Sequence, residues 1–62
     1  MTGKDLAQLR ETAGLSQTEL AERAGIGRHA VSYWEGKPRV RLDAWAVRRM
    51  AEVLDLPGFA SA

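Results

Sequence analysis

The chain has 62 residues, a net charge of +1 and no cysteine. That length allows one small domain near the lower limit for a self-sufficient apolar core, and the missing thiols exclude a disulfide framework or a cysteine nucleophile. No apolar run approaches the roughly 20 residues of a membrane span, and the N-terminus carries no signal-peptide pattern, so a soluble, cytoplasmic protein is expected.

Gly14, Gly25, Gly36 and Pro57 divide the chain into four predicted helices, without internal repeats or linkers. The first runs from about Lys4 to Ala13, with Leu6, Leu9 and Ala13 on one face. Gly14 suits the left-handed position beyond its end. The second opens on Ser16-x-x-Glu19, a capping-box pattern in which hydroxyl and carboxylate satisfy each other's free amides. Its inward positions are Leu20, Ala21 and Ala24, and the alanines allow close approach by a neighbour. Gly25 supplies a tight turn and Ile26 pins it.

The third helix is expected over Arg28 to Glu35, with Ala30, Val31 and Trp34 facing inward. Gly36 ends it, and Lys37-Pro38-Arg39-Val40-Arg41 reads as a basic loop. Asp43 is the expected N-cap of a fourth helix reaching Leu54, with Val47, Met50, Ala51 and Leu54 inward. That register turns Trp45 outward beside Arg48, Arg49 and Glu52; the alternative is an irregular helix start with Trp45 topping the core. Residues 1–56 form the expected domain, and 57–62 a short tail.

Charge is unevenly spread. Residues 27–49 hold six Lys or Arg against two acids, whereas the remainder holds three basic against six acidic side chains. Positive charge thus gathers on the third helix and its following loop, as phosphate binding requires. Two short helices about a glycine turn, spanning about residues 16–36, with a polar and basic second member, match the layout of a helix-turn-helix.

The stretch from Leu9-Arg10 to Leu54 resembles the lambda-repressor-like DNA-binding domains of the Cro/CI type (the XRE family). Its characteristic parts are Leu15-Ser16-Gln17-x-Glu19-Leu20-Ala21, Gly25-Ile26 and Trp34-Glu35-x-Lys37. The resemblance implies an all-α bundle of four to five short helices that binds operator DNA as a transcriptional regulator, usually as a homodimer. Two departures stand out: Gly27 replaces the usual Ser or Thr cap, and the loop after Glu35 is one residue short.

Arg28, His29, Ser32 and Tyr33 share the outer face of the third helix. In a major groove, Arg28 can donate twice to guanine O6 and N7, and His29 can donate or accept. Ser32 permits close approach, while Tyr33 offers a hydroxyl to phosphate and a ring to a thymine methyl. The competing account is a solvated helix face. Gln17 matches the family position that bonds a DNA phosphate, and Gly27, Lys37, Arg39 and Arg41 join it as phosphate candidates. Arg39 or Arg41 also has reach toward the minor groove. Arg10 and Glu35 match a salt bridge that, in relatives, joins the first and third helices.

The leading expectation is therefore a sequence-specific double-stranded DNA-binding regulator, a homodimeric repressor on an inverted repeat, with no cofactor, metal or small-molecule ligand. The alternative is a protein-interaction or antitoxin-like adaptor using exposed Trp45 and Phe59 as its contact surface; Trp45, Arg49 and Phe59 are the candidate dimer or partner surface. An enzyme is not expected: His29 has neither clustered ligands nor an evident orienting acid.

Overall fold

In a computed structural model, which describes residues 1–55, backbone amides at the helix starts are satisfied by two reciprocal caps. The first opens α1 (Gly3–Thr12): the Thr2 hydroxyl accepts from the Asp5 amide at 3.1 Å, and the Thr2 amide donates to Asp5 Oδ2 at 3.1 Å. The second opens α2 (Gln17–Ala24), where Ser16 and Glu19 exchange bonds of 3.0 and 2.9 Å. Only the second box is visible to a search for Ser/Thr followed by Glu or Gln. The aspartate version at Thr2 starts α1 one residue earlier than the apolar spacing suggests.

Gly14 and Gly25 both take left-handed backbone, at φ 76° and 70°. Each closes a helix in the same manner. Leu15 N donates to Arg10 O and Gly14 N to Glu11 O at the end of α1; Ile26 N donates to Ala21 O and Gly25 N to Glu22 O at the end of α2. This paired closure satisfies the last carbonyls and turns the chain sharply.

After the second turn come α3 (Arg28–Glu35) and, beyond a loop, α4 (Trp45–Leu54). The described residues are therefore all-α with four helices, at the lower end of the expected four to five. Leu6, Leu20, Ala21, Ala24, Val31, Val40, Val47 and Met50 form the core. Helix α2 lies at its centre, packed on α3 and α4, and its buried Ala21 and Ala24 allow that approach. Leu15, Ile26, Trp34, Ala44, Val53 and Leu54 ring the core as half-buried residues.

The structure differs from the sequence reading at several points. Ala13 is exposed and Leu9 only half-buried, so Leu6 alone carries the inward face of α1 among those three. Asp43 does not cap α4; Ala44 holds that position without a side-chain bond, while Asp43 pairs with Arg41. Val40, placed in a basic loop, is core because Val40 N donates to Met1 O and Gly3 N donates to Lys37 O, both at 2.9 Å. The 57–62 tail, with Phe59, lies outside the described residues.

Gly3 is where this packing is tightest. A Cβ there would fall on the Glu35 carbonyl and 2.6 Å from the Lys37 carbonyl oxygen, all of it backbone. Gly3→Ala is expected to cost about 1–3 kcal/mol by overpacking, out of roughly 3–9 kcal/mol for a domain of this size; urea denaturation measures it.

Acid should weaken both capping boxes. Bonds from the Thr2 amide and then its hydroxyl hold Asp5 below its ordinary value of 3.8, and the same groups of Ser16 hold Glu19 below 4.5. Both folded carboxyls bind protons less readily than in the unfolded chain. Their contribution is thus full above the unfolded values and is lost as pH falls through the lower folded ones. Urea midpoints are expected to decline below about pH 4.5. Ser16→Ala should remove about 1 kcal/mol at neutral pH and make that acid branch shallower, leaving the Asp5 share in place.

Candidate nucleic-acid interface

Eight residues of α3 divide cleanly into two sides. Val31 is buried and Ala30 and Trp34 are half-buried, whereas Arg28, His29, Ser32 and Tyr33 are all exposed. The i, i+4 spacing of Arg28 with Ser32, and of His29 with Tyr33, sets these four on one continuous outer surface. Gly27 precedes them with extended backbone and no side-chain cap, leaving the first amides of α3 open. Its φ is an ordinary −75°, and a Cβ there would meet open space, so packing does not require glycine at 27.

Behind this surface lies Glu35. Arg10 Nε donates to its Oε2 at 2.6 Å and Arg10 Nη2 to its Oε1 at 3.3 Å. Gln17 Nε2 donates to Oε1 at 2.9 Å, and Arg10 Nη1 reaches the Leu15 carbonyl at 2.7 Å. The side chains of Arg10 and Glu35 are only 12% and 8% exposed, so this is a partly desolvated pair with its hydrogen bonds filled. The Glu35 carboxylate in turn holds the Arg10 guanidinium proton more tightly than usual. The expected Arg10–Glu35 bridge is present and joins α1 to α3. Gln17 adds the start of α2, a contact across 18 residues of chain that no local pattern signals.

Gln17 remains half-buried at the edge of the outer surface, its amide nitrogen already donating one bond inward. Lys37 is half-buried with its Nζ 4.5 Å from the centre of the Tyr33 ring. Arg39 is exposed, and Arg41 makes an exposed 3.2 Å pair with Asp43 that holds the latter's carboxyl below its ordinary value. Such surface pairs are weak and exchange readily for another anion.

The other expected surface is split. Trp45 is 67% exposed and Leu42 52%, which settles the orientation of Trp45 as outward. Arg49 does not simply share that surface. Its Nε donates to the Ala24 carbonyl at 2.9 Å and its Nη1 pairs with Glu52 at 3.2 Å, so α4 holds the end of α2 through it. No helix among the described residues is long and apolar enough to cross a membrane.

Two helices about a left-handed glycine, the second exposing a polar and basic face and braced from behind, define a helix-turn-helix unit. The family model described as a helix-turn-helix domain matches residues 3–59, and the chain belongs to that family, in its Cro/CI-like form. No curated protein and no solved structure matches the chain. Membership points to a DNA-binding regulator of a family that is typically non-enzymatic.

Breaking the bridge tests its structural weight. Arg10→Ala would leave the Glu35 carboxylate largely desolvated with Gln17 as its remaining partner, an expected loss on the order of 3 kcal/mol. Thermal and urea unfolding should detect it. A change below about 0.5 kcal/mol, the level of an ordinary surface substitution, would contradict the assignment.

Proposed function

We propose that this protein is a sequence-specific double-stranded DNA-binding transcriptional regulator, a repressor acting as a homodimer on an inverted-repeat operator. One observation carries this reading: Arg28, His29, Ser32 and Tyr33 are presented together on α3 while Val31 and the Glu35 network fix the helix from behind. In the major groove, Arg28 would pair with guanine, and His29, Ser32 and Tyr33 would meet neighbouring base edges. Gln17, the open amides at Gly27, and Arg39 and Arg41 would lie along phosphates on either side. Two-fold symmetry sets the half-sites about one helical turn apart. Such a protein works in the cytoplasm, associated with the nucleoid when bound.

The exposed Trp45 and Leu42 favour a second reading, an adaptor that binds a protein through the start of α4. Phe59, the other residue of that reading, lies outside the described residues. Salt separates the two. Neutralising about six phosphates over two protomers predicts roughly a 1,000-fold affinity loss between about 50 and 200 mM salt. An apolar protein interface should respond little.

The experiment is selection of bound sequences from random duplex DNA, with affinities followed against salt. An enriched inverted repeat is expected. Arg28→Ala should then cost about 1–3 kcal/mol and relax preference at one base pair, whereas Gln17→Ala should weaken all sequences alike. Unchanged affinity and preference in Arg28→Ala would refute this placement of α3. No enrichment even at low salt would favour the adaptor.

A further inference from the structure

We infer that Lys37 is a positioning residue for Tyr33, holding its ring to read the 5-methyl group of a pyrimidine, rather than a phosphate anchor. This rests on the reading that α3 enters the major groove. Four observations lead to it. Lys37 Nζ lies 4.5 Å from the Tyr33 ring centre, the geometry of a cation on an aromatic face. The Trp34 ring meets Tyr33 edge-on, with centroids 5.1 Å apart and planes at 89°. The ring is thereby bounded on two sides although Tyr33 is 55% exposed.

Third, the Lys37 backbone is fixed at both ends. Its amide donates to the Trp34 carbonyl at 3.2 Å and its carbonyl accepts from Gly3 at 2.9 Å. The lysine stem therefore starts from a defined point and is itself half-buried. Fourth, the two acids nearest in sequence are engaged elsewhere: Glu35 with Arg10 and Gln17, Asp43 with Arg41. Among the described residues Lys37 enters no ion pair, and the negative face of the tyrosine ring is its partner.

A free tyrosine at a helix end samples several rotamers and discriminates poorly. Tyr33 keeps one side for Lys37, one for Trp34, and leaves the rest of the ring to the groove. What a flat apolar surface recognises there is the C5 methyl, the one apolar group on the major-groove edge. The hydroxyl is not needed for that contact. Lys37 thus affects which base is preferred, and its loss should be felt at one position of the operator.

The test uses the whole chain and the duplex it selects. In wild type, replacing thymidine by deoxyuridine at the Tyr33 position removes only the methyl and should weaken binding about two- to five-fold, the size expected for one buried methyl group. Lys37→Ala and Lys37→Met, the latter keeping the stem, should erase the thymidine–deoxyuridine difference. Lys37→Arg, which can still stack, should retain it, as should Tyr33→Phe. In the free protein, ring-current shifts of the Lys37 ε-methylene protons should be present and should vanish in Tyr33→Ala.

Equal weakening on thymidine and deoxyuridine duplexes in Lys37→Ala, with the salt slope reduced by about one, would overturn the inference and make Lys37 a phosphate anchor. So would a selected operator insensitive to deoxyuridine at every position, or the absence of the ring-current shift. A wild-type chain that selects no sequence would overturn the DNA reading, and this inference with it. A wild type that selects normally while the lysine variants keep methyl discrimination would overturn this inference alone.

Discussion

The Glu35 carboxylate governs the geometry of the rest. It closes α3, yet its partners come from the end of α1 and the start of α2, so one small anion ties three helices together. Charge burial of this kind is costly unless every lone pair and proton is matched. Here the carboxylate receives two donors from Arg10 and one from Gln17, and a third Arg10 donor goes to the Leu15 carbonyl. No buried side-chain polar atom among the described residues lacks a partner. With a core built from few large side chains, apolar packing alone would leave the rotation of α3 loosely set. A charged pair of defined geometry restricts it, because sliding or rolling α3 would strand a desolvated carboxylate.

A second constraint works through backbone. The start of α1 is a glycine because the carbonyls of Glu35 and Lys37 occupy the space a side chain would need. Met1 and Gly3 bond to Val40 and Lys37, so the N-terminal residues run beside the loop that follows α3. This loop carries Arg39 and Arg41, and its fixed backbone limits where those cations can reach. Arg49 supplies a further link, from α4 to the Ala24 carbonyl at the turn end of α2. The helix-turn-helix is thus held at its turn by Arg49 as well as at its outer ends by the Glu35 network.

Much of this was legible in local sequence. Ser16-x-x-Glu19, Gly14 and Gly25 each encode a structure completed within six residues, and each appears where its pattern lies. The polar quartet on α3 follows from helical spacing alone. What local pattern could not reveal is long-range. Gly3 looks like any glycine near a chain start until α3 and its loop are brought against it. Arg49 reads as one more surface cation until Ala24 lies opposite. Asp43 had the chemistry of a cap, but Arg41 two residues earlier competes for it and α4 begins after Ala44. Only family resemblance signals the Arg10–Glu35 bridge, since 25 residues separate its members.

The same network bears on how reading and stability are connected. Gln17 gives one amide hydrogen to Glu35, which leaves the other available toward the outer surface. In the proposed complex, a phosphate bound there would sit one hydrogen bond from the carboxylate that orients α3. Tyr33, Trp34 and Lys37 form a comparable chain at the other end of the helix, where Lys37 is anchored through its carbonyl to Gly3. In that complex Gln17 and Tyr33 would be second members of contacts whose first members hold the fold. Alignment of α3 and retention of the fold are two consequences of the same few bonds, so substitutions in them should change recognition and stability together.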